Sequence, residues 1–341
     1  MLRATIEDVA EEAGVSIATV DRVLNGRAAV RPQTAERVEK AIRRLNYQPD
    51  RLAARLARAR DYRFCFILPE GTNAFMQALA DAVKEEALRM AREKVVIDLR
   101  HTDVFDAQRL SATLDTIGAA YDGAAVVALD HPRVREAINA LSDRGVSVVT
   151  LVSDVPSSRR IHYVGIDNSA AGRTAATLMG RYLSGRRGKV GLVAGSLSLR
   201  DHIERQFGFE QVIAHDFPNL TLLPVREGRD DRDKVQAVAE QLLADHPDMI
   251  GLYNVGAGSA GIAAALEHAG RARQVVFITH ELTVDTRRAL IDGTIDIIIN
   301  QDAGHEVRSA IRVLISKADR LPIVEQMERI RIDIYLRDNI P

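Results

Sequence analysis

A single cysteine, Cys65, stands in a chain of 341 residues. One thiol can close no internal disulfide and build no thiolate metal cluster. Inside "FCFIL" it reads as a buried strand residue. No stretch approaches 18 uncharged apolar residues, so nothing qualifies as a membrane-spanning helix. The opening "MLRATIEDVAEEAG" carries charges where an export signal needs an apolar core. H-E-x-x-H, G-x-S-x-G and the P-loop pattern are also missing. These absences argue against zinc peptidases, nucleophile-elbow hydrolases and P-loop nucleotide hydrolases. Leucine heptads are not sustained, which argues against a coiled-coil tetramer. The expectation is a cytoplasmic chain with no membrane partner, no metal and no cofactor.

What is present is ordinary in bulk and uneven in detail. The apolar share of 46% and charged share of 27% suit a folded chain. The length predicts two or three domains. The net charge of −1 hides an asymmetry. Residues 1–60 hold 12 Lys/Arg against 8 Asp/Glu, and the remainder holds 34 against 39. A basic head on an acidic body is the sign expected of a small nucleic-acid-binding module joined to something else.

The head reads as three helices. In "TIEDVAEEAG", Thr5 and Asp8 stand close to a capping box. Ile6, Val9, Ala10 and Ala13 share one face, and Gly14 supplies a turn. "VSIATVDRVLNG" restarts with Ser16 as N-cap and turns Val20, Val23 and Leu24 inward. "QTAERVEKAIRRLNY" follows Pro32, with Val38, Ile42 and Leu45 inward. Two short helices on a glycine turn, braced by a third, make a helix-turn-helix unit. A helical protein-binding module is the alternative.

In the helix-turn-helix reading the second helix enters the major groove. Arg22 can reach guanine O6 and N7. Ile17 and Ala18 can touch thymine methyls. Asp21 could accept from cytosine N4, though a carboxylate there also repels phosphate. Thr19 and Asn25 suit phosphate oxygens. Thr5 and Ser16 complete the DNA-facing set of the head.

The whole head resembles the LacI/GalR repressor family. The resemblance lies in the D-V-A-x-x-A-G-V-S core, in T-V-x-R-V-L-N, and in a hinge of the form Y-x-P-x-x-x-A-x-x-L. It runs without a gap through about the first 60 residues. One departure is Asp21, where the family usually has serine, which suggests an operator preference of its own. The resemblance implies that the hinge helix "RLAARLARAR", marginal alone in water, orders on DNA. Leu56 would then wedge into the minor groove with Ala53 beside it. Such a wedge kinks the duplex.

From residue 62 apolar strand-like runs alternate with amphipathic helices. The runs are "FCFILP", "VVIDL", "GAAVVALD", "SVVTLVS", "HYVGID", "KVGLVAG", "LTLLPV", "MIGLYNV", "QVVFITH" and "DIIINQD". This pattern means parallel sheets covered on both faces, an α/β class. So many strands predict two subdomains. The expected organisation is a helix-turn-helix domain over 1–49 and a hinge helix and linker over 50–61. An N-terminal effector subdomain follows over 62–166 plus 302–322, with its last helix around 304–317. A C-terminal effector subdomain spans 167–301, and a strand-like tail spans 323–341. The body resembles periplasmic sugar-binding proteins of the ribose-binding type (the type I fold). The resemblance rests on "LPEGTNAFMQAL", "GFE" after "HIERQF", "LYNVGAG", "THELT" and "NQDAG" in that order.

Ligands of such sheets bind at strand carboxyl ends, which places the site in the cleft between subdomains. A sugar needs short polar groups and an apolar platform. The candidates are Asn73, Phe75 and Asp130 from the first subdomain, and Arg205, Asn254, Glu281 and Gln301 from the second. His202 and His280 flank the same loops, and His202 is included. Asp167 and Asn168 read as a helix cap. Glu281 stands where the resemblance leads one to expect aspartate. Arg205 leaves room for an anionic effector, so monosaccharide, disaccharide and sugar phosphate all remain open. A different reading starts from "NVGAGSAG", in which Gly256, Gly258 and Gly261 have dinucleotide-turn spacing and Glu281 follows as a ribose acid. That would make an NAD-binding enzyme. Several strand–helix units precede this loop, whereas a dinucleotide turn normally opens its domain. The favoured reading is therefore a sugar-responsive repressor, not an enzyme. It would bind double-stranded palindromic operator DNA as a homodimer.

Overall fold

The protein is described by a computed structural model, which covers residues 4–24, 30–45, 47, 61–71 and 73–341. Contacts divide the chain into a head ending at Asp61 and a body starting at Tyr62. Asn25, Ala53, Leu56 and the hinge helix lie outside the described residues, as does the Asp21 side chain.

The head consists of α1 (Ile6–Ala13), α2 (Ile17–Leu24) and α3 (Pro32–Arg44). Short-range chemistry fixes each end. Thr5 N–H donates to Asp8 Oδ2 at 2.7 Å, and Asp8 N–H donates to Thr5 Oγ1 at 3.2 Å, a reciprocal cap. Gly14 ends α1 in the left-handed region at φ 62°, which costs glycine nothing. Ser16 Oγ receives the Thr19 N–H at 3.3 Å, so α2 starts one residue later. Val9, Ala10, Ala13, Val20, Val38 and Ala41 form the core.

The body holds two sheets. The first is entirely parallel, in the order β2-β1-β3-β4-β5. Its strands are β1 (Tyr62–Pro69), β2 (Val95–Thr102), β3 (Gly123–Val126), β4 (Ser147–Leu151) and β5 (His162–Val164). Helices α4 (Ala74–Met90), α5 (Ala107–Asp115) and α6 (Pro132–Asp143) alternate with them. Strand β1 shows why the sequence run is continuous rather than alternating. Phe64, Phe66 and Leu68 enter one apolar cluster, while Cys65 and Ile67 enter another on the opposite face. Burial pushes the Cys65 thiol up to about 11, which leaves it an unreactive core group.

The second sheet runs β12-β11-β10-β9-β6-β7, with β8 on β6. Its strands are β6 (Gly188–Ala194), β7 (Leu220–Leu222), β8 (Arg226–Glu227), β9 (Met249–Asn254), β10 (Val276–His280), β11 (Ile297–Asn300) and β12 (Asp333–Tyr335). The helices here are α7 (Asn168–Tyr182), α8 (Arg200–Asp216), α9 (Arg232–Asp245), α10 (Ser259–His268) and α11 (Val284–Asp292). After β11, α12 (Ala303–Ala318) returns to pack on α4 and on the first sheet.

The chain therefore crosses between lobes after β5, after β11, and again before β12. That third crossing brings the strand of the expected tail, over 323–341, onto the second sheet. Only Asp333–Tyr335 pairs, antiparallel to β11, and Glu325–Glu328 forms a helical turn, α13. The alternation in "IRIDIYL" is longer than the stretch β11 can pair with, because β11 itself has four residues.

Candidate functional site

The strands of both sheets end at a cleft of about 270 Å³, near the lower bound of roughly 300 Å³ for small-molecule sites. Six predicted residues stand in its wall: Asn73, Phe75, His202, Arg205, Glu281 and Gln301. Each is held by its element. Asn73 Oδ1 receives the Phe75 and Met76 N–H groups and so caps α4. Phe75, on the first turn, is 7% exposed. Glu281 and Gln301 directly follow β10 and β11, and Gln301 Nε2 donates to Glu281 Oε1 at 2.8 Å.

Arg205 lies at the centre of the wiring. Helices α7 and α8 pack backbone to backbone: a Cβ on Gly172 would lie 2.0 Å from the Arg205 carbonyl oxygen. Only glycine permits that approach. The buried guanidinium donates through Nε to Asn168 Oδ1 and through Nη1 to the Val255 carbonyl, each at 2.8 Å. Asn168 Nδ2 donates in turn to the Tyr163 hydroxyl at 3.0 Å. That hydroxyl reaches the carbonyls of Val152 and Ile166 at 2.9 and 3.1 Å. The first lobe crossover is thus connected to the cleft through one arginine. Asp167 caps α7 by receiving the Ala170 N–H.

Several polar atoms in the wall are buried and unpartnered: Arg205 Nη2, Asp201 Oδ1, Gln301 Oε1 and Ser153 Oγ. Leaving such a group unmade costs about 1–3 kcal/mol, so their convergence marks a place built for a polar ligand. Backbone strain converges there as well. Among the described residues six non-glycines have positive φ, and Val152, Arg229, Asp230 and Glu281 of these line the cleft. Each such residue costs on the order of 1–3 kcal/mol and tends to cluster at functional sites. Burial raises the Glu281 carboxyl to about 7, with the Arg205 charge opposing.

Two predicted residues are not in the wall. Asp130 is paired instead, receiving Arg135 Nη2 at 3.0 Å and Arg200 Nη1 at 3.3 Å. The Arg200 contact runs from the second lobe to the first. Beside it Leu199 packs into a first-lobe apolar cluster. Asn254 turns into its own loop, donating through Nδ2 to Ser259 Oγ at 2.8 Å and to the carbonyls of Gly256 and Ala257. His280 is likewise outside the wall. Its Nε2 meets the Tyr253 hydroxyl at 2.7 Å, and burial holds its pKa well below the ordinary value.

Asp201, Asp230 and Ser153 line the cleft without having been predicted. Asp201 stands one helical turn before Arg205 on α8, a spacing that could have found it. Asp230 depends on a loop at positive φ and has no such signal. It decides the glycine loop. Ala257 N–H donates to Asp230 Oδ1 at 2.8 Å, and a Cβ on Gly256 would lie 2.4 Å from the same oxygen. A carboxylate thus stands against the glycine turn, where its charge would repel a pyrophosphate.

The head presents a second surface. On α2, Val20 is buried while Ile17, Ala18 and Arg22 face outward, Ile17 being 46% exposed. Thr19 is half-buried and its hydroxyl meets Ser16 Oγ at 3.0 Å. The hydroxyl of Thr5 is engaged with Asp8.

The description "Bacterial regulatory proteins, lacI family" matches residues 5–50, and "Periplasmic binding protein domain" matches residues 64–320. The chain belongs to the lacI family. Catabolite control protein A of Streptococcus mutans is 31% identical over 193 residues, covering 57% of this chain and 55% of that protein. Catabolite control protein A of Priestia megaterium is 29% identical, covering 66% and 64%. The alignments thus span less than two thirds of these two curated relatives. The HTH-type transcriptional repressor PurR of Vibrio atlanticus is 26% identical, covering 74% and 73%. Among solved structures, the glucose-galactose binding protein GanP of Geobacillus stearothermophilus superposes with a TM-score of 0.74. It is 23% identical, covering 83% of this chain and 99% of that one. The body of this lacI-family chain therefore has the periplasmic-binding-protein fold expected of it. Among its described residues no helix is long and apolar enough to cross a membrane.

Proposed function

We propose that this lacI-family chain is a sugar-responsive, sequence-specific transcriptional repressor. In this reading it binds palindromic operator DNA as a homodimer, since a two-fold protein matches a two-fold site. Leu88, 80% exposed, and Val96, outward on edge strand β2, offer apolar surface for a second copy. A small sugar in the cleft draws the lobes together and shifts the first lobes at the dimer interface, which changes the order of the hinge helices. The sugar must bind one lobe arrangement better than the other for this to act on DNA. The observation that carries the reading is the set of buried, unpartnered polar atoms in the cleft wall.

The test is selection of duplexes from a random pool, followed by operator binding with and without a panel of sugars. A selected duplex whose affinity changes with one sugar supports the reading. Failure to enrich any duplex would remove the DNA function. Thermal melting separates the dinucleotide alternative. A ligand at 100 times its dissociation constant adds about 2.7 kcal/mol, and a shift with NAD or NADH alone would favour the enzyme reading.

Arg22→Ala is expected to cost about 1–3 kcal/mol of operator affinity and to relax base preference at one position. Equal weakening on all duplexes would make Arg22 a phosphate contact instead. A further expectation concerns the lobe-to-lobe contact of Arg200 with Asp130 and the seat of Leu199. A half-exposed ion pair contributes on the order of 1 kcal/mol or less. Arg200→Ala should therefore weaken sugar binding by up to about fivefold, at roughly 1.4 kcal/mol per tenfold. It would act through the lobe arrangement rather than through the ligand. Unchanged affinity in calorimetry would show that this contact does not differ between free and bound states.

A further inference from the structure

We propose that the effector is a hydrogen-bond-donor-rich sugar without negative charge, a neutral polyol or its amino derivative, and that the cleft rejects phosphorylated and carboxylated sugars. This rests on the sugar reading above and narrows it. Three independent features of the wall support it.

The first is charge. Five carboxyl side chains line the cleft against two guanidiniums, those of Arg205 and Arg229. A phosphate brings about −1.5 to −2 charges near pH 7 and would meet a wall already acidic.

The second is the geometry of the one buried guanidinium. Strong phosphate and carboxylate recognition by arginine uses two parallel N–H donors as a fork. Here Nε is given to Asn168 and Nη1 to Val255, and only Nη2 is unpartnered. Those two bonds close the side-on Nε/Nη2 fork and leave Nη2 with one N–H of Nη1, a donor set that suits hydroxyl and ring oxygens. The opening for an anion at Arg205 that the sequence suggests is narrowed by these two bonds to the end-on side of the guanidinium.

The third is a carboxylate beside the glycine turn. The glycine turn before α10 would offer N–H groups and a helix dipole to a phosphate. The Asp230 carboxylate already holds the Ala257 N–H at 2.8 Å. What the wall leaves open is mostly acceptors, Asp201 Oδ1 and Gln301 Oε1, with Ser153 able to act either way. Acceptors call for ligand hydroxyls or an ammonium group.

The test is titration calorimetry of the full chain with D-aldopentoses and D-aldohexoses, their terminal phosphates, their uronates and their 2-amino-2-deoxy derivatives. The expected result is binding of at least one neutral or amino sugar, with its phosphate and uronate at least about 30-fold weaker. Equal or tighter binding of a phosphate or uronate than of its neutral parent would overturn the inference while leaving the sugar reading intact. Failure of every compound to bind would instead remove the sugar reading, and this inference with it. Asp230→Asn keeps a residue that tolerates positive φ and can still accept from Ala257. It is expected to narrow the gap about tenfold by improving phosphate affinity. An unchanged gap would overturn the role given to Asp230.

Discussion

Arg205→Ala is expected to abolish the effector response while operator binding persists. The side chain is 3% exposed and has a different task at each nitrogen. Nη2 faces the cleft wall without a partner, Nη1 holds the end of β9 through Val255, and Nε holds Asn168 at the start of α7. Removing it deletes a ligand donor and cuts the chain of bonds through Tyr163 to the first crossover. It also strips the wall of its buried positive charge. Hydrogen bonds to a charged group are worth about 1.5–3 kcal/mol each, so loss of the one ligand bond should lower sugar affinity about 10- to 100-fold. The same arithmetic predicts a fall of about 3 kcal/mol or more in stability. Arg205→Lys separates the two effects. Lysine keeps the charge but has no planar fork to reach both Asn168 and Val255. It should hold the fold better than alanine and still respond poorly. The measurements are calorimetric sugar binding and operator anisotropy for each variant. A full response in Arg205→Ala would remove the residue from the site.

The head was legible because its signals are short-range. Thr5 with Asp8, Gly14 and Ser16 act within one turn of the helices they start or stop, and the apolar period reports the buried face directly. The strands of the body were legible for a related reason. A parallel strand is covered on both faces and is therefore apolar throughout, as β1 is. Strand β8 was missed because two residues carry no period. In the cleft, strand ends were a good guide to position but not to direction. Glu281 and Gln301 follow β10 and β11 into the wall. Asn254 ends β9 equally well, but its amide is used in closing the glycine loop. Asp130 has the right place and the wrong partners, since two arginines reach it first. The side chain of Asp230 is placed by a loop with two successive residues at positive φ, a conformation that composition does not announce.

The pH response of Glu281 follows from its burial. Burial raises its carboxyl from 4.5 to about 7 in the folded chain. Below 4.5 both folded and unfolded forms are protonated and no charge is buried. As pH rises from 4.5 towards 7 the unfolded chain ionises first, so stability is lost, and above 7 the loss is complete. At 1.36 kcal/mol per pKa unit, Glu281→Gln should stabilise the sugar-free protein by up to about 3 kcal/mol at pH 8 and by little at pH 4.5. Glu306 adds to the same trend. It is fully buried, neither carboxyl oxygen has a hydrogen-bond partner, and burial followed by the Glu281 charge holds its pKa well above the ordinary value. Because Glu306 is not among the lining residues, Glu306→Gln should flatten part of the stability profile and leave sugar affinity unchanged. Glu281 differs in having a second role. A sugar hydroxyl donating to its carboxylate favours the ionised form, so sugar affinity should rise about tenfold from pH 6 to pH 8 in the native chain. In Glu281→Gln it should be weak and flat. Melting curves and calorimetry across pH 5–8 read both effects. If the variant keeps the native pH dependence of sugar binding, another group carries the proton and Glu281 does not face the ligand.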